Sequence, residues 1–290
     1  IIITGVLINI ALDPLLIKVL GMGIEGAALA TILAQAVVFI LDMIHFKSKK
    51  SIITLSKDSF KMSFDIIPEI LSVGISGMVM QIMPAIQMSI MFKVLSNYGG
   101  NDSVIIMSAS YRVMTFAFIA LWGISQGVQP VIGANYGANK FDRIKKTFLS
   151  FTGIALGISF SFWLFFMLFP KFILSWFITD NNIIVHGVTF YRIFLSVFLL
   201  YGLMPMAITF FQAIGKGGKA TVLVVGRQIL FFIPLIFILP IFMGELGAWL
   251  AMPIGDFLTL ILSLLLIKKT FDNIKIKKRE FETLTSQATD

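Results

Sequence analysis

Eight apolar runs, each about long enough to cross a bilayer, constrain this chain more than any other feature. A helix crossing roughly 30 Å of hydrocarbon needs about 20 apolar residues. Cutting the sequence at its charged and Gly/Asn-rich breaks gives spans near 1–20, 24–45, 68–96, 103–134, 146–170, 183–213, 219–243 and 246–267. Backbone groups must pair internally in lipid, and the ten-residue alternation of a membrane barrel is absent, so the spans read as helices. The expected fold class is all-α, a polytopic membrane protein. Hydrophobic residues make up 58% of the chain and charged ones 13%, against about 45–50% and 25% in soluble domains. Soluble enzymes and nucleic-acid-binding proteins are disfavoured together. With no cysteine and only two distant histidines, His45 and His186, neither a disulfide framework nor a metal site is expected.

The net charge of +8 lies between the spans. The gaps after spans 2, 4 and 6 and the stretch after span 8 share one side of the membrane and hold 17 of the 23 basic residues, among them Lys47, Lys140, Arg143, Lys216 and Lys268. By the positive-inside rule that side is the cytoplasm. A multi-pass protein of the cell membrane with a cytoplasmic C-terminus is therefore expected, with a tail over 269–290 that is either solvated or rests on anionic headgroups. Because the chain starts at Ile1 without the features of a signal peptide, it reads as a piece of a longer protein.

Residues 23–35 align on 244–256 without a gap: Gly23 and Gly26 fall on Gly244 and Gly247, Ala27 on Ala248, Leu29 on Leu250 and Ala30 on Ala251. Both copies open the second arm of a hairpin on the outer side, which makes the repeat parallel. Spans 7 and 8 then end one six-helix unit and spans 1 and 2 end the preceding one, with about four helices missing upstream. The domain division that follows is a last N-terminal hairpin at 1–47, a cytoplasmic linker at 48–67, a six-helix lobe at 68–268 and the tail.

Span 4 runs into its cytoplasmic loop through Gly123, Gln126, Gln129, Pro130, Gly133, Asn135, Tyr136 and Gly137. This pattern resembles the signature of the MATE family, the multidrug and toxic compound extrusion transporters. Asn9, Asp13 and Pro14, the Tyr98–Gly100 stretch, Phe211, Gln212 and Gly215, and Pro253 with Asp256 are similar to that family in the same order. The resemblance implies a twelve-helix antiporter of two six-helix lobes, of which this chain would hold helices five to twelve. It also implies export of small organic, often cationic drugs, driven by Na⁺ or H⁺, with no other cofactor and no enzymatic chemistry. Partners would be the bilayer and the N-terminal lobe helices, not nucleic acid.

Charges inside spans are costly and mark function or pairing. Asp256, mid-span in span 8, must pair with a cation or be neutralised by a proton; Arg227 in span 7 is the basic residue of comparable depth. A structural Asp256–Arg227 pair and a cation or proton site both fit. Gln126 and Gln129 read either as a polar cavity lining or as helix-to-helix hydrogen bonds. On span 3, Ser72, Ser76, Met83 and Gln87 share a stripe that could contact an organic cation or pack helices, while Gln81 points away. Arg112 and Arg192 either snorkel to water or attract an anion. Asp13 and Pro14 read as a turn and cap; Pro130, Gly133, Asn135, Tyr136 and Gly137 read as a tight helix end.

The sequence departs from family members that place coupling carboxylates in the helices compared with spans 3 and 6: Glu69 stands at the edge of span 3, and 183–213 contains no acid. Gln212, next to Phe211 in the family-like stretch of span 6, is a further polar candidate for the cargo path. Two alternatives to drug export are a flippase for lipid-linked sugars or isoprenoids, which needs a basic groove, and a membrane scaffold that transports nothing.

Overall fold

The computed structural model describes the backbone of residues 1–48 and 67–287, with side chains throughout except at 68–77, 79–80 and 277–287. Most of the expected linker and the side chains of Glu69, Ser72 and Ser76 lie outside the described residues. The chain forms two compact units, Ile1–Glu69 and Ile70–Asp290.

The first unit is a helical hairpin. Helix α1 (Ile2–Pro14) passes into a π-turn (Leu15–Val19), and α2 (Gly23–Lys47) returns. The second unit comprises α3 (Ile67–Gly137) from Ile70 onwards, α4 (Phe141–Leu168), α5 (Pro170–Leu174), α6 (Asn181–Phe194), α7 (Leu203–Ala213), α8 (Gly217–Val225), α9 (Ile233–Met243) and α10 (Glu245–Gln287). No strand occurs among the described residues. Seven of their helical segments are long and apolar enough to cross a membrane. The longest, Gln81–Gly137, breaks at Gly100, where φ is 72° and ψ is −165°, a conformation open to glycine and strained for any side chain. The break divides it into two arms, 81–99 and 101–137, at the place where spans 3 and 4 are expected to part.

The sixth span differs from expectation. Residues 183–213 read as one helix, yet α6 ends at Phe194, a 3₁₀ turn occupies Phe198–Leu200, and α7 begins at Leu203. The break is held by side-chain chemistry. Ser159 Oγ donates to the Leu199 carbonyl at 2.9 Å and accepts from the Gly202 N–H at 3.3 Å, satisfying backbone groups that the helix has released. Every residue from Tyr201 to Phe211 is buried, which a helix in mid-lobe can be only if no lipid reaches it. The seventh span is also irregular: a π-turn (Gly226–Phe232) joins α8 to α9. Helix α10 continues past residue 267 to Gln287, so most of the expected tail is helical.

The two hairpins related by the sequence repeat turn alike. Gly23 and Gly244 have φ of 57° and 58°. A Cβ on Gly26 would lie 2.9 Å from the Leu16 backbone, and one on Gly247 would collide with the Leu239 carbonyl. Small residues at the same two repeat positions thus let each returning arm touch the one before it.

Between α3 and α4 the left-handed residue is Asn139 (φ 55°), while Gly137 closes the helix with open space where a side chain would be. The glycine that makes a close approach is Gly133, whose Cβ would sit 3.4 Å from the Ala213 carbonyl. Asn139→Ala will cost about 1 kcal/mol of stability because a residue with Cβ is disfavoured at positive φ, whereas Asn139→Gly will be near neutral. Thermal unfolding in detergent checks this pair.

Candidate functional site

The two irregular spans meet at one carboxylate. Asp256, 1% exposed on α10, accepts Arg227 Nε at 2.5 Å on Oδ1 and Arg227 Nη2 at 3.2 Å on Oδ2. The hydroxyl of Tyr201 also donates to Oδ2. Arg227 lies in the π-turn and Tyr201 at the end of the 3₁₀ break, so each interruption delivers one partner. Wide or broken turns inside membrane helices recur at functional sites, because they place polar groups that a regular helix would bury in itself. The fork of the guanidinium matches the carboxylate in two hydrogen bonds, the geometry that best offsets the desolvation of both ions.

Arg227 also faces a cavity of about 370 Å³ whose polar lining includes Gln81 and Gln228 and whose aromatic wall is Phe118 and Trp122. Phe118 meets the Tyr201 ring edge-on at 6.3 Å and stacks on Trp122 at 6.3 Å, linking the wall to the carboxylate cluster. Gln228 is 3% exposed, and its Oε1 has no hydrogen-bond partner among the described residues. An acceptor buried without a donor is costly unless something that enters the cavity supplies one. The arrangement suits a flat, apolar molecule carrying a donor or a charge.

Of the candidates read from sequence, Asp256 and Arg227 come together at this cavity. Gln126 is exposed and Gln129 half-buried on α3, and neither lines it. Gln87 is 6% exposed with an unpartnered Nε2 among the described residues, yet it lies off the lining, while Gln81, which was expected to point away, is on it. Gln212 is half-buried at the end of α7, its carbonyl accepting from Gly215 N at 3.1 Å. Arg112 faces a different cavity. Asn135 turns back on its own helix, donating to the Val131 carbonyl at 2.7 Å, and its carbonyl accepts from Lys140 N at 2.9 Å. Pro130 is exposed and Tyr136 half-buried in the same helical end. Asp13 is half-buried beside Pro14, where α1 widens into its π-turn. Sequence reasoning missed Tyr201, Gln228, Phe118 and Trp122. Of these only Gln228 carried a signal, a second polar residue beside an intramembrane arginine.

The three span arginines have separate engagements: Arg227 holds Asp256, Arg192 donates to the Met167 carbonyl at 3.0 Å, and Arg112 faces the second cavity. The flippase reading gains no support from this arrangement.

Comparison with known proteins agrees with the fold and the spans. The MatE family model matches residues 76–238. The chain is 25% identical over 272 residues to the multidrug export protein MepA of Staphylococcus haemolyticus strain JCSC1435, covering 93% of this chain and 59% of that protein. It is 25% identical over 276 residues to MepA of Staphylococcus aureus strain NCTC 8325, covering 94% and 60%. An outward-facing multidrug resistance MATE family transporter of the MOP superfamily superposes with a TM-score of 0.84 at 25% identity, over 94% of this chain and 62% of that one. The chain thus spans about three-fifths of the length of these relatives. A multi-pass helical membrane protein matched by the family model over more than half its length, this chain belongs to the MatE family, whose members are transporters and not enzymes.

Proposed function

We propose that this chain supplies the C-terminal lobe and the last N-terminal hairpin of an alternating-access antiporter, which exports small organic, often cationic compounds in exchange for H⁺ or Na⁺. Its C-terminus lies in the cytoplasm on this reading, and the first-lobe helices of the whole protein complete the transport path. One observation carries the coupling: Arg227 lines the cavity and at the same time holds Asp256.

While the pair is intact the cavity wall is neutral overall and accepts a cation on its aromatic and amide groups. When an ion from outside neutralises Asp256, Arg227 loses its counter-charge and the cavity becomes positive. The two cations then repel in a medium of low dielectric, and cargo is expelled as the ion is taken up. A proton enters this site more readily than Na⁺. It needs one carboxylate oxygen, whereas Na⁺ needs several oxygen ligands and must sit beside a guanidinium.

Ethidium efflux from drug-sensitive bacteria expressing the intact protein tests the cargo site. Gln228→Leu keeps the volume and removes the acceptor, and Trp122→Ala removes the stacking wall. Each is expected to weaken efflux at limiting dye by about threefold to tenfold. Unchanged efflux in both variants at equal expression overturns the assignment of this cavity.

A further inference from the structure

A second cavity, of about 520 Å³, is lined by residues of α3, α4 and α5 and the segment just after α5. Its wall is aromatic, with Phe116, Phe162, Phe165, Phe166, Trp176 and Phe177, and Arg112 is the one charged residue among its lining. Phe116 is 72% and Trp176 64% exposed. Arg112 lies within the long membrane-spanning stretch of α3, is itself exposed, and has no ion-pair or hydrogen-bond partner among the described residues.

A guanidinium in a membrane span without an acid beside it is costly and calls for an anion. The described lining of the cavity supplies none. Arg192 is bound to the Met167 carbonyl and Asp180 caps α6 by accepting from Asn182 N, and neither belongs to the lining. The cavity therefore combines one guanidinium with an aromatic wall, part of it exposed, which disfavours a cationic cargo. In a bilayer the abundant molecule with a single anionic group on an apolar chain is an acidic phospholipid.

We infer that this cavity is a binding site for an anionic phospholipid, with an acyl chain among the rings and the phosphate on Arg112. The guanidinium suits that role because its fork engages two phosphate oxygens at once. The inference stands apart from the cargo reading and is tested without transport.

The intact protein is reconstituted in vesicles of equal parts phosphatidylglycerol and phosphatidylcholine, with the photo-crosslinker benzoylphenylalanine at Phe165 or, as a control, at Leu164. Leu164 is 42% exposed on the same turn of α4 but is not part of the cavity lining. Mass spectrometry of the adducts should give an excess of phosphatidylglycerol of about fivefold at position 165 and near parity at 164. Arg112→Gln should bring position 165 to parity, and Arg112→Lys, which keeps the charge, should retain most of the excess. Parity at position 165 in the parent protein, or an excess that persists in Arg112→Gln, overturns the inference.

Discussion

Asp256→Asn will lower the stability of the protein by about 3 kcal/mol, read as a large fall in the thermal unfolding midpoint in detergent. Removing one member of a buried pair strands the other, and the cost is that of the uncompensated charge. The figure sits at the low end of the range for such pairs because Arg227 keeps 17% of its surface exposed and faces the cavity, where water can reach it. Arg227→Gln alone should do at least as much damage, because it strands a carboxylate that is 1% exposed and leaves it the Tyr201 hydroxyl as its remaining partner. The double variant Asp256→Asn, Arg227→Gln removes both charges and should recover most of the lost stability. A double variant as unstable as the worse single one would mean that the charges matter for reasons other than each other.

Gly202→Val is expected to abolish folded protein, through a different mechanism. Gly202 sits at the break in the sixth span, and a Cβ there would collide with the carbonyl of Ala155 on α4. Neither atom can yield: Ala155 is backbone inside a regular helix, and the break is tied to Ser159 on the next turn. Overpacking against backbone costs about 3 kcal/mol or more, and moving Gly202 also moves Tyr201, and with it one donor to Asp256. By contrast Gly137→Ala, where nothing lies within 4 Å, should leave yield and unfolding unchanged. Equal yields for the two glycine variants in size-exclusion chromatography would contradict this packing.

The membrane class was legible because a hydrocarbon solvent leaves a chain few choices: run length and charge placement fix where helices can lie. The Asp256–Arg227 pair was visible as two costly charges of similar depth, though the sequence could not say whether they met. What stayed hidden depends on where helices stop being regular. Residues 193–211 carry no charged side chain, so nothing in their hydropathy marks the break at 198–202; it exists because Gly202 lets two backbones touch and Ser159 satisfies the groups set free. Once the span breaks, Tyr201 is carried to Asp256. The same reason explains Gln81 and Gln87: a stripe drawn on an ideal helix chose Gln87, whereas Pro84 lies between the two on α3 and the cavity takes Gln81. Gln126 and Gln129 stood out by their place in a recognisable pattern, yet that pattern ends in a turn built by Asn135 and Asn139, away from the cavity lining.

The central claim is that the Asp256–Arg227 pair couples ion entry to cargo release and does not merely hold the lobe together. The most direct measurement is ethidium transport by the intact protein in proteoliposomes, under a pH gradient and a Na⁺ gradient imposed separately. It compares the parent protein with the double variant Asp256→Asn, Arg227→Gln at matched folded content. The account predicts that the parent moves dye against its gradient when protons run inward, and that the double variant binds dye but does not respond to either gradient. A double variant that pumps like the parent would contradict the account and leave the pair a structural one.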